Sequence, residues 1–134
     1  MKKLVVEASA DNLDDVLDFV NEELERHNCP SNLQNQINVA VEEIFVNIVN
    51  YAYKPAGGSV AVFVYIYAGE EAVIRFEDTG RPYNPLEHPP PDLGKPLMER
   101  EIGGLGIFLA RQLMETVVYK YTDDKNVLVM TKKF

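Results

Sequence analysis

The sequence predicts one α/β domain, and three observations carry that expectation. Runs with strand-like alternation and runs with helical spacing follow one another in the order β, α, α, β, β, α, β, β. A single long proline-rich stretch interrupts them, between the third strand and the third helix. The 134 residues, 46% of them hydrophobic, are enough for one real core, and nothing suggests a second domain or an internal repeat.

Lys3 to Ala8 reads as a short strand, and "DNLDDVLDFVNEELERHN" follows with Leu13, Val16, Leu17, Val20 and Leu24 at helical spacing. Pro30 and Ser31 open a second helix, running to about Tyr53. Ser31 and Gln34 stand at capping-box spacing, and Leu33, Ile37, Ala40, Val41, Ile44 and Ile48 form the buried stripe. "KPAGG" stops this helix. Two β-rich runs, Ser59 to Tyr67 and Ala72 to Asp78, are joined by "AGEE" as a hairpin. Gly80 to Ile102 holds six of the eight prolines without periodicity, too long for an idle connector in a compact domain, so a lid is expected there. Gly103 to Glu115 reads as a third helix, and strands Thr116 to Tyr121 and Val127 to Lys132 close the chain around a "TDDKN" turn.

Charge narrows the function. With 21 acidic against 13 basic residues the net charge is -8, which repels nucleic acid and anionic lipid. The longest apolar run, "VAVFVYIYA", is about half the length of a membrane-spanning helix, and "MKKLVVEAS" has no signal-peptide core, so a cytoplasmic protein with no nucleic-acid or membrane partner is expected. Cys29 stands alone, which excludes a disulfide framework or a cysteine-based metal cluster, and it reads as a small thiol at a helix end.

The second helix contains an anomaly. In "NVAVEEIFVNIVNYAY", Glu43, Asn47 and Asn50 sit among apolar residues. At about 100° per residue Glu43 and Asn47 lie roughly 40° apart, and Asn50 extends their face by one turn, whereas Glu42 faces away and is expected to be solvated. This trio borders the Ile44 and Ile48 stripe, which is where a pocket wall would be; a half-exposed polar edge is the plainer reading of the segment taken alone. Two later segments matter. "FEDTGRP" puts Asp78 at a strand end, where its carboxylate can accept from an exocyclic amine, with Gly80 two residues on, where a backbone can approach a flat ligand closely; alone, Asp-x-Gly is a routine turn. "GGLGIFLARQL" puts Gly103, Gly104 and Gly106 at the threshold of a helix whose amides and dipole favour phosphate, or serve only close packing.

In this order and spacing, "EEIFVNIVNYAY" resembles the N box, "FEDTGRP" the first glycine box and "GGLGIF" the second glycine box of the GHKL ATPase superfamily of gyrase, heat-shock chaperone, histidine kinase and MutL. The size, together with "PLEHPPPDLGKPLMEREIGGLGIFLARQLMETV", is similar to the anti-sigma factor serine kinases of the RsbW type. The resemblance spans nearly the whole chain. It implies the Bergerat fold, an α+β two-layer sandwich with helices on one face of a mixed, mostly antiparallel sheet, and ATP between the helices and the lid. It further implies that the Asn47 side-chain oxygen holds Mg²⁺, an ion that suits few protein ligands. By the same resemblance Glu43 acts on, or orients, the base for an incoming hydroxyl, Asp78 accepts the adenine amine, and Gly80 gives the base room. The resemblance likewise implies that Gly104 and Gly106, with Gly103 as a further candidate, lie under the triphosphate; Asn50 is a nucleotide-binding candidate only because it extends the Glu43 and Asn47 face.

One feature departs from the family pattern. The basic residue that some of these kinases set close before the second glycine box is out of register, since Ile102 precedes the glycines and Arg100 lies two residues further back. Lys95 and Arg100 stand as lid candidates for phosphate contact, or as solvated loop charges. Three classes follow: a serine/threonine kinase acting on an anti-anti-sigma (STAS) protein and sequestering a sigma factor; a nucleotide-gated binding module without phosphotransfer; and the catalytic half of a histidine kinase. The last lacks a phosphoacceptor histidine on a helix and a helical dimerisation segment. A homodimer is left open by the sequence.

Overall fold

The computed structural model describes residues 1–53, 57–87 and 104–134. Strand β1 (Lys2–Glu7) leads through a 3-10 turn, Ala10–Asn12, into helix α1 (Leu13–Arg26). Helix α2 (Ser31–Tyr51), strands β2 (Ser59–Tyr67) and β3 (Glu71–Asp78), a second 3-10 turn at Pro85–Glu87, helix α3 (Gly104–Leu113) and strands β4 (Thr116–Thr122) and β5 (Lys125–Lys133) follow. The expected lid from residue 88 onward lies outside the described residues, as do Lys95, Arg100 and Gly103.

The sheet has the order β1-β2-β3-β5-β4, and all four of its pairings are antiparallel; no parallel pairing occurs among the described residues. Strand pleating puts Val60, Val62 and Val64 of β2, Ala72, Ile74 and Phe76 of β3, and Leu128 and Met130 of β5 on one face. That face is buried together with Val16, Val20 and Leu24 of α1, Ile37, Ala40, Val41, Ile44, Phe45 and Ile48 of α2, and Ile107 and Ala110 of α3. Each large side chain in this set contributes about 1.5–3 kcal/mol on burial, which holds the three helices to one side of the sheet. No helix among the described residues covers the other face: Val5 and Val118 are exposed there, and the Lys3 and Arg75 cations stand over the Phe63 ring.

Both hairpin turns carry two residues in the left-handed region, Ala68 (φ 53°) with Gly69 (φ 76°), and Asp123 (φ 53°) with Asp124 (φ 60°). Two positive φ angles match the right-handed twist of the flanking strands. Because the second turn is only two residues, β5 begins at Lys125, two residues before the Val127 expected from the sequence. Helix α1 ends on Asn28 at φ 59°, with the Cys29 amide donating to the Leu24 carbonyl at 3.0 Å. Cys29 is buried at this helix end.

One local expectation is corrected. The Ser31/Gln34 capping box does not form: Pro30 holds the N-cap position without a side-chain bond, because the Gln34 amide is drawn across to Asn21 Oδ1 (3.0 Å) and Glu25 Oε1 (3.1 Å) of α1. The helix pair is tied together instead.

Candidate functional site

Helix α2 and strands β3 and β5 converge on a cleft of about 360 Å³, counting its open mouth, and the polar residues in its wall arrive there for different reasons. Ile44, Asn47, Ile48 and Ala52 come from one side of α2 and its end; Phe76 and Asp78 come from the inner face of β3; Asn126 and Leu128 come from β5; Tyr83, Pro85 and Tyr119 complete the lining. Helical spacing forces the first set, since positions 44, 47, 48 and 51–52 share a face. The period of two forces the second, because Asp78 continues the Ile74 and Phe76 face into the cleft.

Asn47 is buried, and its Oδ1 has no hydrogen-bond partner among the described residues. A buried carbonyl oxygen in that condition is costly unless something else satisfies it. It is an oxygen donor of the kind a hard cation takes. Among the described residues no group of three or more His, Cys, Asp or Glu could hold a metal. The unsatisfied Asn47 oxygen fits the part of one protein ligand to a Mg²⁺ ion.

Asp78 is 6% exposed. Its Oδ1 accepts from the Gly80 amide (3.0 Å) and from Asn126 Nδ2 (2.9 Å), while Oδ2 takes no hydrogen bond from the described residues. The first bond is the routine Asp-x-Gly turn, and the same turn leaves one carboxylate oxygen for a ligand. Burial pushes the Asp78 carboxyl above its usual range, and the bonds from Asn126 and Gly80 oppose that rise. Gly80 is demanded by the helix behind it: a Cβ there would lie 2.4 Å from the Ala52 carbonyl oxygen.

Asn126, which the sequence pattern places in a turn, is the hub of this corner. It stands directly opposite Asp78 in the β3–β5 register and is 6% exposed. Its Nδ2 also donates to the Arg81 carbonyl at 2.9 Å, and its Oδ1 accepts from the Tyr83 amide at 3.1 Å and from the Tyr119 hydroxyl. Every polar atom of the amide is used, so one side chain fixes the carboxylate, the turn after it and the segment beyond. That segment is fastened to the end of α2 as well. Arg81 donates through Nε to the Tyr51 carbonyl (2.8 Å) and through its amide to Ala52 (3.1 Å), and the Tyr83 ring stacks on Tyr51 at 5.3 Å.

Glu43 lies outside this wall and faces α3. It is half-buried, and its carboxylate occupies the space beside Gly106. Burial pushes its carboxyl up, and the charge of Glu42 adds to that. Gly104 opens α3. Asn50 is exposed and does not line the cleft, and Glu42 is exposed as expected. The structure thus joins Asn47 to Asp78, sets Glu43 against Gly106, and leaves Asn50 apart.

This arrangement defines a class. The family model described as a histidine kinase-like ATPase domain matches residues 6–132, and the chain belongs to that family. Among curated relatives, "Serine-protein kinase RsbW" from Listeria monocytogenes is 31% identical over 100 residues, which cover 72% of this chain and 63% of that one. The protein of the same name from Halalkalibacterium halodurans is 34% identical over 100 residues, covering 72% and 60%. "Serine/threonine-protein kinase BtrW" from Bordetella bronchiseptica is 26% identical over 99 residues, covering 74% and 70%. The matches with the two RsbW proteins span about three fifths of those relatives' length. Two solved structures share the fold. One holds RsbU and RsbW domains from Mycobacterium tuberculosis, with a TM-score of 0.66 at 14% identity, covering 99% of this chain and 32% of that one. The other is the mycobacterial sensor histidine kinase MprB, with a TM-score of 0.57 at 16% identity, covering 97% of each. No helix among the described residues is long and apolar enough to cross a membrane.

Proposed function

We propose that the chain is a Mg-ATP-dependent serine/threonine protein kinase of the anti-sigma factor type, which phosphorylates a STAS partner and sequesters a sigma factor. The observation that carries this reading is one cleft shared by Asn47, with a buried Oδ1 that no described residue satisfies, and Asp78, with Oδ2 left for a ligand. The kinase names of the relatives support the same reading.

In this proposal Asp78 Oδ2 accepts a hydrogen from the exocyclic amine of adenine, which excludes guanine because guanine presents a carbonyl there. Asn47 Oδ1 holds Mg²⁺, which when bound draws charge from the phosphate oxygens. The first amides of α3 donate to the phosphates, so an acidic protein needs few lysines there. Glu43 takes the proton of the partner's hydroxyl as its oxygen bonds to the γ-phosphorus, and ADP leaves with the electrons of the broken bridging bond. The net charge of -8 would speed encounter with a basic partner such as a sigma factor. The protein would work in the cytoplasm, as a monomer or a homodimer.

Incubation with Mg-ATP and the STAS proteins of the same genome tests this. Expected is a phosphate mass shift on a serine or threonine of one of them. Nucleotide-dependent partner binding with no transfer would favour the gated binding module, which the displaced Arg100 also suggests. Acid-labile phosphohistidine would favour the histidine-kinase class.

A further inference from the structure

Gly106 belongs to the glycine box that the resemblance assigns to phosphate, yet its surroundings indicate another duty. A Cβ at this position would meet three atoms first, all from Glu43: Oε2 at 2.2 Å, Cδ at 3.2 Å and Cβ at 3.6 Å. Its backbone has no positive φ to favour glycine. Neither helix can back away. Ile107 and Ala110 fix α3 in the core at 3% and 0% exposure, and Ile44 and Phe45 fix α2 beside Glu43 at 1% and 0%. A methyl group at position 106 is therefore accommodated by the one mobile element of the contact, the end of the Glu43 side chain.

We propose that Gly106 is a positioning residue for phosphoryl transfer: its missing side chain is the seat of the Glu43 carboxylate. This rests on the kinase reading for the role of Glu43, but not for the contact itself. Glycine costs helical stability relative to alanine, so an alanine that left Glu43 in place would be favoured there. The half-buried seat also accounts for the upward shift of the Glu43 carboxyl through burial, which brings its proton affinity nearer to that of a base working at neutral pH.

The test uses the full chain as the parent, Gly106→Ala, Glu43→Gln and the double variant. Affinity for the non-hydrolysable analogue AMP-PNP with Mg²⁺ is measured by calorimetry, and single-turnover transfer from Mg-ATP is measured to the STAS protein that the parent phosphorylates. Expected for Gly106→Ala is affinity within about twofold of the parent and transfer slower by about 10²-fold, the usual effect of misplacing a catalytic group by an ångström. The double variant should transfer no more slowly than Glu43→Gln alone, because both changes act through one carboxylate. A tenfold or greater loss of AMP-PNP affinity would assign Gly106 to the phosphates, and an unchanged transfer rate would remove the seat.

If the parent phosphorylates no STAS protein, the kinase reading fails by itself and unfolding decides the seat. Gly106→Ala should then raise the denaturation midpoint more in a Glu43→Ala background than in the parent, since the clash is absent there. Equal gains in both backgrounds would overturn the proposal.

Discussion

Asn126 and Asp78 show how much one buried pair can control. With its folded value raised above the unfolded one, Asp78 costs stability when ionised, and that cost disappears as pH falls through the raised value. The Asn126 amide offsets part of the cost by donating to the ionised form. Asn126→Leu should therefore lower stability by about 1–3 kcal/mol at neutral pH and by less at a pH where Asp78 is protonated. Denaturant unfolding at the two pH values checks this, and equal losses would show that the charge on Asp78 plays no part. Asp78→Asn replaces the acceptor itself, and calorimetry should show Mg-ATP binding weaker by about 1–3 kcal/mol with discrimination against GTP reduced. Glu43 gives the complementary pH dependence. It can take a proton only when ionised, so transfer should fall as pH drops through a value above the 4.5 of an ordinary glutamate, and Glu43→Gln should abolish that limb of the profile. Asp78 and Asn47 are legible in the sequence because each interrupts an apolar face with a polar group. Asn126 is not, since "TDDKN" looks like a five-residue turn. Its signal lies in the alternation of Asn126, Leu128 and Met130, which places the amide on the core face once the turn is shortened to Asp123 and Asp124.

At the scale of elements, the end of α2 is latched to the turn after β3. Tyr53 donates its hydroxyl to the Ser59 carbonyl (2.7 Å) and accepts from the Thr79 amide (2.7 Å), while Arg81 bonds the last carbonyls of the helix. Asp78 and Asn47 are thereby held at a fixed separation although they lie on different layers. Gly80→Ala should break this latch. Its Cβ would meet backbone that cannot swing aside, so a loss of about 1–3 kcal/mol is expected, with weaker nucleotide binding as the turn moves. Thermal unfolding and calorimetry on the variant check both, and an unchanged melting point would mean that the turn is not pressed against α2 in solution. The helices themselves are legible from their 3.6-residue periodicity. Phe45, fully buried, falls outside the expected stripe because it lies on the same side of α2 as Gln34, which faces α1, so that α1 widens the covered face beyond what a single-helix pattern contains. The capping box fails for a similar reason: Gln34 has better partners on α1 than on its own helix.

For the whole molecule, the described helices all pack on one face of the sheet, and that face aims three separate sequence segments at one region. The order of those segments is legible along the chain, while their depth depends on how the layers pack. Glu43 and Asn47 share a helix face, yet Asn47 lines the cleft and Glu43 faces α3, which suits one group for the nucleotide's cation and the other for the partner's hydroxyl. Single-turnover phosphoryl transfer by Glu43→Gln, set beside its affinity for Mg²⁺ and AMP-PNP, separates these two roles. Expected is affinity equal to the parent's with transfer slower by about 10²–10⁴-fold, the usual worth of a general base. Transfer at the parental rate, or a loss of affinity that accounts for the whole decrease, would contradict this assignment of roles.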